Sequence, residues 1–148
     1  MGRIRVSSVI ATSPATVWEE IRSVEKHADW MANTTDIAVE SEQATGVGTI
    51  YRCRTRVGPL NLKHRLVITS WREGREIGVS HQGWITGNGT MTLSRIRGDR
   101  TRFLWVEHLS FPWWLGGPIG GFVGGMVLRR VWRRNIRVLK ALVEGDRT

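Results

Sequence analysis

Apolar positions follow two rhythms along this chain. In most segments between residues 3 and 109 they recur at every second position, the period of strands with one dry face. From about Ile119 to Glu144 they recur at helical spacing. On a wheel turning 100° per residue, Val127, Leu128, Val131, Trp132, Asn135, Ile136, Val138, Leu139, Leu142 and Val143 share one half, and all but Asn135 are apolar. Arg129, Arg130, Arg133, Arg134, Arg137, Lys140 and Glu144 occupy the other half, and all are charged. A stripe this wide predicts a helix that covers a sheet or a cavity, not a narrow coiled-coil seam.

The alternating rows come in order. Arg3 to Ala11 reads as a strand with Ile4, Val6 and Ile10 on one side. Ser13 followed by Pro14 starts a helix, with Val17, Trp18 and Ile21 on its apolar face. The segment from Val24 to Met31 reads as a second short helix or an irregular stretch that brings Trp30 inward. Ile37 and Val39 mark a strand ending near Gly46-Val47-Gly48. From Thr49 to Val57 the face Thr49, Tyr51, Cys53, Thr55, Val57 opposes a wet row of Arg52, Arg54 and Arg56.

After a turn at Gly58-Pro59, the inward row is Leu60, Leu62, His64, Leu66 and Ile68. Glu73-Gly74 turns the chain again, and Ile77, Val79 and His81 continue inward, with Ile85 as a further member. Gly87-Asn88-Gly89 predicts a hairpin or a bulge. Met91 and Leu93 then point in, Gly98-Asp99 makes another turn, and Phe103, Trp105, Glu107 and Leu109 close the set. The predicted order is strand, helix pair, a meander of about six strands, and a long helix. Such a meander buries one face, which the last helix must cover.

The stretch from Leu109 to Leu128 holds twenty residues without a charge, long enough for a membrane span. Its glycines at four-residue spacing resemble a membrane helix-pairing pattern. Yet six glycines and two prolines weaken it as a helix, each interior Gly costing about 1 kcal/mol relative to Ala. The favoured reading is a helix that approaches a sheet closely or leaves room for a ligand.

Composition narrows this picture. A chain of 148 residues suits one domain, residues 1–148, able to bury about two-thirds of its unfolded surface. Eight tryptophans suggest aromatic-lined interior space or interfaces. The net charge of +9, from 22 basic and 13 acidic residues, favours anionic partners in general. One cysteine cannot form an internal disulfide, and the first ten residues carry no apolar run of signal-peptide length, so a cytoplasmic location is expected.

The opening IRVSSVIATSPATVWEEIRSVEKHADWM resembles the start of the START-domain and polyketide-cyclase-like (SRPBCC) superfamily, whose helix-grip fold is also that of plant pollen allergens. The glycine pair Gly46 and Gly48 and the glycine-rich approach to a last helix ending VLKALVE are similar too. The resemblance spans essentially the whole chain. It implies an α+β helix-grip fold, in which a curved antiparallel sheet of about six to seven strands wraps around the C-terminal helix. Two short helices follow the first strand, and a hydrophobic cavity lies between sheet and helix.

Within such a fold, parity turns Tyr51, His64, His81 and Glu107 toward the cavity, and the helix adds Asn135. Apolar walls with a few convergent polar groups are the usual form of a small-molecule site. The expected ligand contacts are Trp30, Tyr51, His64, Leu66, His81, Met91, Phe103, Trp105, Glu107, Phe122 and Asn135. Glu107 is the sharpest of these, because a buried carboxylate needs a partner. Cys53 reads as an inert small hydrophobe.

Three functions remain open. The favoured one is binding, and in some settings transport, of a small hydrophobic ligand such as a lipid or polyketide. The second is a polyketide cyclase or dehydratase-like enzyme using His64, His81 and Glu107 for proton transfer. No spacing among these residues is diagnostic, and no residue is assigned as catalytic. The third is peripheral binding to an anionic membrane through the arginine face of the last helix; nucleic acid is not the expected partner. His27, His64, His81 and His108 show no metal-ligand spacing, and no cofactor is expected. Both a monomer and a homodimer are compatible with the chain. Phe111 to Leu115 could gate the cavity, touch a bilayer or form a dimer patch.

Overall fold

In a computed structural model of the chain, the described backbone comprises residues 2–31, 34–57, 60–83, 86–110 and 117–145; side chains are described over the same stretches except at 2, 57, 60 and 117–125. The elements are β1 (Gly2–Ile10), α1 (Pro14–Ile21), a short 3-10 helix (Val24–Asp29), β2 (Thr34–Val39), β3 (Ile50–Val57), β4 (Leu60–Arg72), β5 (Glu76–Gly83), β6 (Thr86–Ile96), β7 (Arg100–Ser110) and α2 (Gly117–Gly145). The seven strands form one antiparallel sheet in the order β1-β7-β6-β5-β4-β3-β2. Register shifts between Thr35 and Ala38 and between Ile68 and Ser70 interrupt the ladders. Irregularities of this kind bend a strand and increase its twist. The meander and the long last helix are those predicted from the alternation.

Local chemistry explains where the elements start and stop. The Ser13 hydroxyl accepts a hydrogen bond from the Thr16 amide at 3.4 Å, and Pro14 takes the first helical position of α1. Gly98 and Asp99 both adopt positive φ, 82° and 55°, which lets two central residues reverse the chain between β6 and β7. The turn at Glu73 is tied to α1: the indoles of Trp18 and Trp71 donate to its two carboxylate oxygens at 3.0 and 2.8 Å. The expected turn at Gly58-Pro59 and the side chain of Ile85 lie outside the described residues.

The helix α2 crosses the inner face of the sheet, nearest to β1. Leu128, Trp132, Asn135, Ile136, Leu139 and Val143 are buried, whereas Val127 and Val138 are 40% and 37% exposed. The dry stripe is therefore narrower than the wheel predicts. Val127 and Val138 lie on the same edge of the apolar half, and that edge reaches solvent, whereas Ile136 and Val143 on the other edge are covered. Glu144 accepts a hydrogen bond from the Ala11 amide at 2.7 Å, anchoring the end of α2 to the end of β1. Arg129, Arg130, Arg133, Arg134 and Arg137 point outward. Among the described residues no helix is long and apolar enough to cross a membrane. Phe111 to Leu115 lies outside them.

Candidate functional site

A cavity of about 110 Å³ lies between α2 and the inner face of the sheet. Each strand of the sheet centre contributes alternate residues to its floor, as the two-residue period requires. These are Tyr51, Cys53 and Thr55 from β3, Leu62, His64 and Leu66 from β4, Ile77, Val79 and His81 from β5, Gly89 and Met91 from β6, and Trp105, Glu107 and Leu109 from β7; Thr90 of β6 and Thr34 and Ile37 of β2 also touch the cavity. The roof is Leu128, Val131, Trp132 and Asn135 of α2, and Val24, His27 and Met31 close one side. Most of this surface is apolar, so the few polar groups stand out.

Glu107 organises them. Its carboxyl is 2% exposed, accepts a hydrogen bond from the Trp105 indole at 3.0 Å through Oε1, and is bonded to His81 Nε2 at 2.8 Å through Oε2. His81 is on β5 and Glu107 is on β7, with β6 between them. Neighbouring strands are about 4.8 Å apart, so these two residues reach each other across roughly 10 Å of sheet. They meet because β6 presents glycine there. Gly87 stands opposite His81, and Gly89 stands opposite Glu107. A Cβ added at Gly89 would overlap the Glu107 carboxylate, and one at Gly87 would run into the His108 carbonyl.

Gly87-Asn88-Gly89 is therefore not the predicted hairpin or bulge. It lies inside β6, paired in unbroken register with β7, and its glycines serve close approach instead of chain reversal. Sequence alone cannot separate the two uses, since both need the absence of a side chain.

His64 lies beside the pair, its ring 6.2 Å from that of His81 and nearly edge-on. Its Nε2 is 3.1 Å from the Thr55 hydroxyl. Burial, reinforced by the neighbouring His81, pushes its pKa down to about 4. His64 is therefore neutral at physiological pH in the fold but titrates near 6.5 when unfolded. Stability contributed this way is present above pH 6.5 and is lost as the pH falls through about 4. Urea unfolding followed from pH 7 to pH 4 is expected to show falling stability, and His64→Gln to make the decline shallower. The decline persists in part because burial also lowers the pKa of His27, against its 2.8 Å bond to the Ile21 carbonyl. An equally steep decline in His64→Gln would contradict the assignment.

Burial raises the Tyr51 hydroxyl above the ordinary phenol range, with Cys53 and Glu107 nearby acting in the same direction. Burial likewise pushes the Cys53 thiol up to about 12, so it lines the wall as an unreactive thiol. Among the described residues of the roof, Asn135 is the one polar side chain apart from the Trp132 indole, and it is 3% exposed. Its Oδ1 has no hydrogen-bond partner among the described residues. Among those residues no three His, Cys, Asp or Glu side chains group in a way that could hold a metal ion.

Of the expected ligand contacts, Tyr51, His64, Leu66, His81, Met91, Trp105, Glu107 and Asn135 reach the cavity surface. Trp30 and Phe103 do not. Both are fully buried beside it, where Trp30 packs edge-on against Phe103 and Trp105 at 6.3 and 5.7 Å. For Phe103, parity gives the side of the sheet it faces but not how far along β7 the cavity extends, and Trp30 follows a 3-10 helix, where parity does not apply. The side chain of Phe122 lies outside the described residues. Of the lining residues outside the expected set, two carry rings, Trp132 and His27. The ring of Trp132 stacks on Trp105 with centroids 4.8 Å apart and 15° between planes, and its place one helical turn from Asn135 is the signal that points to it. His27 sits in a 3-10 helix, where there is no strand parity to read.

Several solved structures share this architecture at low sequence identity. The aromatase/cyclase Zhui from Streptomyces sp. R1128 superposes with a TM-score of 0.80 and 14% identity, over 97% of this chain and 93% of that one. The protein TTHA0849 from Thermus thermophilus gives 0.78 and 12%, over 99% and 100%. XoxI from Bacillus cereus gives 0.78 and 12%, over 100% and 99%. By sequence, the chain matches none of the curated proteins. The model of one family, described as polyketide cyclase / dehydrase and lipid transport, matches residues 1–144. With a curved sheet closed over a long C-terminal helix and that family's pattern running through nearly every residue, the chain belongs to the polyketide cyclase / dehydrase and lipid transport family.

Proposed function

We propose that this protein binds a small hydrophobic molecule, a lipid or a polyketide fragment, between its sheet and α2. The observation that carries the reading is the apolar cavity itself, with Leu66, Val79, Met91, Trp105 and Trp132 among its walls. An engineered apolar cavity of about 150 Å³ in another protein holds benzene, so a volume near 110 Å³ suits a single ring or a short chain segment. The family's description, which includes lipid transport, supports the same reading.

Trp105 and Trp132 face the cavity, so ligand entry should change tryptophan emission excited at about 295 nm. Titration with p-xylene or a short alkylbenzene is expected to give a saturable change. Leu66→Trp, which fills the floor, is expected to weaken it at least tenfold. Titration curves that are identical for the two proteins would remove the proposal.

A second reading has one specific observation in its favour. His81 and Glu107 form a bonded imidazole–carboxyl pair inside the cavity, with the neutral His64 ring beside it. Such a set can take and return a proton on a bound molecule, and the similar fold of an aromatase/cyclase is consistent with that use. If a polyketide substrate is turned over, Glu107→Gln and His81→Gln should each lower kcat at least a hundredfold. Unchanged kcat in both would leave binding alone.

A further inference from the structure

The cavity's polar groups are strongly one-sided. The protein carries a net charge of +9, yet among the described residues no lysine or arginine lines this cavity. Its single acidic group, Glu107, is bonded to His81 and Trp105. On the opposite wall the Asn135 carbonyl oxygen is buried without a partner among the described residues. Leaving a buried acceptor unsatisfied costs about 1–3 kcal/mol, so an isolated asparagine on a helix face that is otherwise apolar needs an explanation. Leucine in its place would continue the stripe of Leu128, Trp132, Ile136 and Leu139 without that cost.

We propose that the cavity selects an uncharged molecule whose hydroxyl group donates a hydrogen bond to Asn135 Oδ1, and that it rejects carboxylates built on the same skeleton. The inference deepens the binding reading above and rests on it. A hydroxyl satisfies the orphaned oxygen while its apolar body lies against the Trp105–Trp132 stack. A carboxylate arriving in the same place finds no lysine or arginine among the described residues to compensate its lost hydration, and His81 is already bonded to Glu107. Free fatty acids and other anionic lipids are thereby excluded, although the exterior of the protein is strongly basic.

Four probes of one size separate the terms: p-xylene, p-cresol, 4-methylanisole and p-toluate, titrated against the full-length protein by tryptophan fluorescence. The expected order places p-cresol at least tenfold tighter than p-xylene and 4-methylanisole, with p-toluate the weakest. Asn135→Leu is expected to abolish the preference for p-cresol over p-xylene, measured as the ratio of the two affinities; Asn135→Ala should do the same and serves as a second variant. Equal affinities for p-cresol and 4-methylanisole would overturn the inference, as would p-toluate binding as well as p-cresol or a p-cresol preference that survives both variants. Those outcomes leave apolar binding intact. Failure of all four probes to bind would instead remove the binding reading, and this inference with it.

Discussion

Trp132→Ala is expected to lower the unfolding free energy by about 3–5 kcal/mol, the usual range for truncating a buried tryptophan. Trp132 is 9% exposed and lies flat on Trp105, which is packed in turn against Trp30. The ring is thus the point where α2 meets an aromatic stack that runs through the sheet face into the core. Offset stacking adds about 0.5–1.5 kcal/mol beyond the area buried. The site cannot collapse to heal the loss, because a cavity already lies next to it. In a chain of this length the melting temperature should fall by on the order of 10 °C. Trp132→Phe, which keeps a ring over Trp105, should lose less than half as much. Guanidinium unfolding of the three proteins measures this, and a loss below about 1 kcal/mol for the alanine variant would mean that the helix is held elsewhere.

The second large effect belongs to a residue with no side chain. Gly89→Ala is expected to cost about 2–4 kcal/mol, since the new methyl claims space occupied by the Glu107 carboxylate. Displacing that carboxylate also strains its bonds to His81 and Trp105. Glu107→Ala alone should cost a similar amount, because the indole and imidazole lose their buried partner. The two changes are not independent. In the Glu107→Ala background the Gly89 methyl enters vacated space, so the double variant should be about 1–3 kcal/mol more stable than the sum of the single losses predicts. Simple additivity in a double-mutant cycle would show that the glycine serves some purpose other than seating the carboxylate. Unchanged stability in Gly89→Ala would show that β6 and Glu107 do not crowd each other at all.

Both experiments bear on the same design. The roof and the floor of the cavity are each held by interactions between segments distant in sequence, and the polar set depends on a gap in the middle strand. A substitution that fills the gap is expected to perturb the cavity floor although it removes no hydrogen-bonding group.

Much of the architecture was readable from one chain. Period-two alternation placed Tyr51, His64, His81, Trp105 and Glu107 on one face, because side chains on a strand must alternate. Helical spacing placed Leu128, Trp132, Ile136 and Leu139 on one stripe, and Ser13-Pro14 and Gly98-Asp99 announced a helix start and a turn through backbone chemistry that few other residues supply. These signals are local, so they survive without knowledge of neighbours. What tertiary structure alone decided is who meets whom. The partner of Glu107 is 26 residues away on a strand that does not adjoin its own, and the contact exists because β5, β6 and β7 align with glycine between the two side chains. The extent of the cavity was decided the same way: Trp30 and Phe103 are buried beside Trp105 but do not line the cavity, and Val127 and Val138 share the apolar half of α2 but remain exposed. Periodicity sets the direction in which a side chain leaves the backbone. Distance to a partner is set by how whole elements stack, and that is a property of the assembled fold.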